Sequence, residues 1–370
     1  MMSLGDEGSL EIKQCISHKN MSVNHHPLLI AIYLPQYHPI PENDAWWGKG
    51  FTEWTNVTKA RPLYTGHYQP HLPADLGFYD LRVPETRQQQ ADLATKYGIS
   101  AFCYYHYWFS GRRILERPFN EVLASGKPDF PFCLCWANTS WTGVWYGVPN
   151  KMLIEQTYSG YEDAIRHFYA LLPAFLDKRY LRINNKPVFA VYKPMELPER
   201  KGFIKLWQKL AVQNGLDGIH FTGFAWDWSW DFSNQGFDAA VCVPPAPLIA
   251  DASKIDKNLP TIYDYEQIRM KLIPEKIIKD GLYSCLRPNW DNTPRSGARG
   301  LVFHGSTPEL FRPQISLALD QLKDRSPDSR VLFIKAWNEW AEGNHLEPDQ
   351  LHGHGYLEVI KSELNRRSWT

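Results

Sequence analysis

Glu339 and Glu342 stand three residues apart, between Trp337 and Trp340, near the C-terminal end of a 370-residue chain. Cleaving a glycosidic bond takes one group to protonate the leaving oxygen. It takes a second to handle the developing oxocarbenium charge or to activate a nucleophile. An apolar surround and a neighbouring carboxylate both raise a pKa, which suits one member of such a pair to act as an acid. The same spacing also fits a solvated pair on a loop, or in the first turn of a helix, where the helix dipole helps.

Further polar and aromatic residues fall at the ends of short apolar runs. The first run contains Tyr33 and ends in Gln36 and His38, and the loop after it carries Trp47, Glu53 and Trp54. His106 and Trp108 end the second run, Trp136 and Asn138 the third, Lys193 the fourth, and Trp226 and Asp227 the fifth. Trp290, Asp291 and Arg295 follow the seventh. The eighth leads into Trp337, Asn338, the two glutamates and Glu347. A tryptophan face is flat and apolar, so it can stack on the C–H face of a sugar ring. Carboxylates, amides and histidines can then take the ring hydroxyls. For a single tryptophan, filling the mouth of the fold is an equal alternative. For the set, a carbohydrate-binding cleft is the better account.

Other chemistries gain less. No Gly-x-Ser-x-Gly elbow is present to support acyl transfer. Lys193 has no glycine-rich phosphate loop beside it that would favour Schiff-base chemistry. His345, Glu347, His352 and His354 match no ligand spacing, so they read as loop residues and neither a metal nor a cofactor is expected. The chain contains no Asp-x-Asp to hold a metal-bound nucleotide diphosphate.

These residues must be positioned by the runs that precede them. The runs are Leu28 to Tyr37, Ile99 to Trp108, Phe130 to Asn138, Pro187 to Lys193, Gly218 to Trp226, Asp238 to Val243, Gly281 to Trp290, and Arg330 to Trp337. Each begins nearly continuously apolar, as a strand buried on both faces does. Helical patterns fit between them, at Pro84 to Tyr97, Tyr161 to Lys178, Arg200 to Asn214, Tyr263 to Asp280, Thr307 to Lys323 and Tyr356 to Arg367. Eight such alternations predict an α/β protein, a (β/α)8 barrel. A doubly wound sheet usually carries a glycine-rich phosphate turn after its first strand. Here the first run leads into Pro35-Gln36-Tyr37-His38-Pro39 instead. In a barrel the active site sits at the C-terminal ends of the strands, where the residues above cluster.

Composition fits this reading. Hydrophobic residues make up 44% and charged residues 22%, and 40 basic residues balance 40 acidic ones. A nucleic-acid partner would call for a basic excess and is not expected. No 18-residue apolar run predicts a membrane span. Residues 1–27 are polar without an apolar core segment, which predicts a flexible tail and no secretory signal, hence a cytoplasmic protein. Residues 28–370 are expected to form one catalytic barrel. Five of the six cysteines lie inside the apolar runs and read as core filling.

The run WNEWAEGNHLEP (Trp337 to Pro348) resembles the end of the barrel in glycoside hydrolase family 99 and its WbsX-like relatives of bacterial surface-polysaccharide loci. So do the segments Tyr33 to Val57, Phe102 to Phe109 and Arg287 to Arg295. The resemblance covers about Leu28 to the C-terminus. It implies a (β/α)8 barrel acting on a bacterial or mannan-like polysaccharide, endo-acting and with retention of configuration. In family 99 the first glutamate of the pair deprotonates the sugar's own 2-hydroxyl, giving a 1,2-anhydro-sugar. The second is the general acid and then the base for water. The matching positions are Glu339 and Glu342. The WbsX-like relatives are often labelled glycosyltransferases, so transfer in O-antigen or capsular polysaccharide assembly is the alternative that the resemblance carries.

Overall fold

A computed structural model of the protein describes residues 26–143, 148–245, 258–277 and 279–369. Eight parallel strands close into a barrel. They are β1 (Leu28–Tyr33), β2 (Ala101–Phe109), β3 (Phe132–Trp136), β4 (Lys186–Val191), β5 (His220–Ala225), β6 (Ala239–Cys242), β7 (Leu282–Leu286) and β8 (Val331–Ile334). Each pairs with its sequence neighbour, and β1 closes the ring against β8, with Leu28 opposite Val331. Each of the eight predicted runs coincides with one of these strands, with β2 running one residue past its run, to Phe109, and β4 starting one residue before its run, at Lys186. The reason is compositional. In β1, β4 and β8 a run of Val, Ile, Leu, Phe and Ala is buried almost without a break, which suits a strand covered on both faces.

Helices pack outside the ring. Pro84–Lys96 starts on its proline and stops at Gly98, whose φ of +84° a side chain would disfavour. Pro308–Asp320 is capped by Thr307, whose Oγ1 accepts from the Leu310 amide at 3.2 Å. Trp207, on helix Arg200–Gln213, is fully buried among Phe168, Phe189 and Phe203 and donates to the Ala164 carbonyl at 3.0 Å. The helix expected over 263–280 does not form as one piece. Thr261–Asp264 is instead a strand paired in parallel with Leu301–His304. The helix Tyr265–Ile268 and one 3-10 turn, Arg269–Leu272, follow. Pro274 then removes an amide donor that a continuing helix would use. The tail expected over residues 1–27 lies almost wholly outside the described residues, as does Cys15. The other five cysteines are buried and unpaired. No described helix is long and apolar enough to cross a membrane.

Candidate active site

The stretch after β8 is tied to the end of β1. The Trp337 amide donates to the Ile32 carbonyl at 2.7 Å. Beyond it, the Asn338 carboxamide accepts from the Leu34 amide at 2.7 Å and donates to the Leu34 carbonyl at 3.1 Å, so a side chain continues the ladder where the backbone leaves it. The Tyr37 hydroxyl donates to the Asn338 carbonyl and accepts from the Trp340 amide at 3.2 Å. The chain then makes a single tight turn over Trp340–Glu342 and reverses at Gly343, with φ of +57°. A Cβ at Gly343 would lie 2.8 Å from that of Asp291. Gly343→Ala therefore combines a disfavoured backbone region with a clash. It is expected to destabilise the fold by about 1–3 kcal/mol, measured by thermal denaturation.

This framework presents Glu339 and Glu342 to a cleft of about 510 Å³ in the C-terminal mouth of the barrel. Neither is a solvated surface group, for they are 4% and 6% exposed. Lys335 Nζ sits 2.8 Å from Glu339 Oε2 and 3.8 Å from Glu342 Oε2. Arg295 bridges the other side, with Nη1 2.7 Å from Glu342 Oε1 and Nε 2.7 Å from the buried Glu53 Oε1. Three carboxylates thus share two cations. Burial, then the adjacent Glu342 charge, pushes the Glu339 carboxyl up to about 7, and Lys335 limits the rise. Burial alone would lower the Lys335 ammonium, but the carboxylates of Glu339 and Glu342 hold it above its ordinary value. Glu342 Oε2 has no hydrogen-bond partner among the described residues.

Of the residues singled out by sequence, Gln36, Trp47, Glu53, Lys193, Trp290 and Arg295 line this cleft with the two glutamates. Trp226 lies in an adjoining depression that shares Tyr192, Trp290 and Lys335 with it, and Asp227 lines a further depression that Trp226 and Lys193 also border. The others are placed elsewhere. Tyr33 is buried and donates to Gln90 at 2.7 Å, and His38 contacts the Pro35 carbonyl. Trp54 packs behind the mouth against Tyr37 and Trp340. His106, Trp108 and Trp136 surround His167 on the helix side of the sheet. Asn138 holds both backbone polar groups of Lys193. Asp291 is buried against His67, Gln69 and Thr293. Trp337 is wholly buried beside Phe102, and Asn338 makes the ladder contacts above. Glu347 is buried and accepts from Trp340, Tyr79 and Gln90, and burial pushes its carboxyl up to about 7.

The cleft also holds residues outside the expected site: Lys335, Tyr105, Trp141, Thr139 and Ser140, together with Tyr107 and Tyr192, which stand at strand ends in the sequence. Alternation along β2 explains two of them. Successive side chains point to opposite faces, so Tyr105 and Tyr107 face the cleft while His106 and Trp108 face the helices. Lys335 had its own signal, a cation inside an apolar run with a glutamate four residues on.

A closed parallel barrel with a buried carboxylate pair at its C-terminal mouth is the class that fold and site define. The chain belongs to the family described as Glycosyltransferase WbsX, whose model matches residues 29–360. Two curated relatives, each called "Uncharacterized protein WxcX" and from two strains of Xanthomonas campestris pv. campestris, are 39% identical over 346 residues. The match covers 91% of this chain and 50% of theirs, so the chain spans about half the length of the curated relatives it matches. Among solved structures it is similar to a "Glycoside hydrolase-like protein" (TM-score 0.57, 13% identity, covering 92% of this chain and 95% of that one). It is also similar to the glycoside hydrolase family 99 endo-alpha-mannosidase from Bacteroides thetaiotaomicron in complex with Bis-Tris-propane (TM-score 0.55, 13% identity, covering 93% and 97%). At these identities the likeness is one of fold.

Proposed function

We propose that residues 28–370 form one catalytic barrel that cleaves a glycosidic bond in a bacterial or mannan-like polysaccharide with retention of configuration. The observation that carries this reading is the sharing of one buried ammonium, Lys335, by Glu339 and Glu342 on the floor of an aromatic-walled cleft. Their near oxygens cannot be further apart than the sum of the two contacts to Nζ, and reach that only if Nζ lies between them in line. That limit falls at the lower edge of the roughly 6.5–9.5 Å that admits a water in inverting enzymes.

Glu339 is the base toward the substrate's 2-hydroxyl. A carboxyl pushed up to about 7 is matched to proton abstraction near neutral pH. The hydroxyl is the substrate's own, so the enzyme supplies only position and proton removal. Glu342 is the general acid for the leaving oxygen, then the base for water. Trp47, Trp141 and Trp290 offer stacking faces, and Gln36, Lys193 and Thr139 offer hydrogen bonds. Trp47→Ala is expected to raise KM by about 10-fold with a smaller change in kcat, because stacking is made in ground and transition states alike. Steady-state kinetics on a released oligosaccharide series would check it.

Transfer to a sugar acceptor in surface-polysaccharide assembly is the second reading, favoured by the family's description. The deciding experiment incubates the protein with bacterial polysaccharides and mannans and follows oligosaccharide release and anomeric configuration. Release with retained configuration in the wild type, and no release in Glu342→Gln, supports hydrolysis. No release, together with calorimetric binding of a nucleotide sugar, supports transfer.

A further inference from the structure

A second cavity, of about 200 Å³, opens behind the Glu342 turn. Among the described residues, His71, His345 and Asp349 bring one nitrogen or oxygen each to within 4.8 Å of one another there, and all three are buried. We infer that these side chains form a binding site for one divalent transition-metal ion, of which zinc is the best match. The sequence conceals the set, because its first member comes from a loop 274 residues away from His345.

The donor atoms are oriented by contacts that fix their chemistry. His345 Nδ1 lies 3.0 Å from the Glu347 carbonyl, which can only accept, so the ring proton sits on Nδ1 and Nε2 carries a lone pair. That lone pair accepts from His71 Nδ1–H at 3.1 Å, and a bound ion would take the place of this proton, with neutral His71 then carrying its proton on Nε2. Two nitrogens on a tetrahedral zinc stand about 3.4 Å apart, so the observed spacing needs little change. Asp349 is held by the Leu351 and His352 amides, which both donate to its Oδ1, at 3.0 and 2.6 Å. Its Oδ2 is directed at His345 Nε2, 3.8 Å away. Two imidazoles and one carboxylate with an open fourth position make a first-row metal set. The open position faces a cavity lined by Tyr68, Asn289 and His352, with room for water or a ligand oxygen.

The ion would join the loop of His71 to the segment that carries Glu342. Trp340 stacks on His345 with ring centroids 3.7 Å apart. Gly343 packs on Asp291, whose amide donates to the Glu342 carbonyl at 2.6 Å. A metal there fixes the backbone of the turn without touching the cleft.

The test uses the full untagged chain, stripped with chelator and titrated with Zn²⁺ and Co²⁺. We expect one ion per chain, a visible Co²⁺ absorption of tetrahedral intensity, and a melting midpoint raised by about 3 °C at saturating Zn²⁺. His71→Ala and Asp349→Asn should each weaken binding at least about 10-fold. Asp349→Asn keeps the oxygen that takes both amides, so its fold is the control, verified by circular dichroism. Wild-type affinity weaker than about 100 µM overturns the inference. Unchanged affinity in folded Asp349→Asn and His71→Ala overturns it equally, and would mean that the ion sits on other histidines.

Discussion

Glu339→Gln is expected to lower kcat about 10³- to 10⁴-fold on every glycan the protein cleaves, whatever its leaving group. The amide keeps the shape of the side chain and can still lie against Lys335, so the fold should survive, but it cannot take a proton from a hydroxyl. Glu342→Gln should behave differently. On a natural glycan the loss is again about 10³-fold, while on an activated aryl glycoside the first step should lose only about 10-fold, because a good leaving group needs little acid help. The contrast is the informative quantity, about 3 kcal/mol of acid assistance present for one substrate and absent for the other. Pre-steady-state release of the aryl group measures it. Equal losses on both substrates would remove Glu342 from the acid role. An intact rate in Glu339→Gln would move the base elsewhere in the cleft, to Glu53 first, since it is the third carboxylate among the described residues there.

The strands were legible because a barrel strand covered on both faces needs an apolar run, and eight such runs exist. That same feature hid which side chains enter the mouth. In β2, AFCYYHYWF is buried along its whole length, so composition does not reveal parity. Tyr105 and Tyr107 reach the cleft, whereas His106 and Trp108, the residues chemically easier to notice, turn toward His167. Asn338 and Trp337 were visible as polar and aromatic neighbours of the glutamates. Their task is to hold β8 against β1, a role fixed by contacts some 300 residues away in sequence. The extra parallel pair at Thr261–Asp264 and Leu301–His304 was concealed by the helical spacing of the segment after it. Local patterns report burial well, and they report direction only where one face of a strand is wet.

Lys335 is the residue on which the site's electrostatics turn. It is 5% exposed, close to both glutamates, and it lies over the Trp290 ring at 5.2 Å. Lys335→Met keeps the bulk and removes the charge. Glu339 then keeps its burial and the Glu342 charge but loses the cation that limits them, so its carboxyl should rise above about 7. The base works as the carboxylate, so the acidic limb of kcat/KM should move to higher pH by at least about one unit, and activity at pH 6 should fall at least about 10-fold and partly recover as pH is raised. Stability should follow the same sign. A carboxyl raised above its ordinary 4.5 binds a proton more tightly in the folded state. Its contribution is full below that value and is lost as pH rises through the folded one. The variant should therefore melt near wild type at pH 4.5. Above pH 8 two buried carboxylates face each other without their shared ammonium, and it should lose about 3–5 kcal/mol. Thermal melts across that range, set beside the pH–rate profile, separate the two effects. A profile that stays in place while stability falls would leave Lys335 as a structural counter-ion and exclude Glu339 as the ionisation that governs turnover.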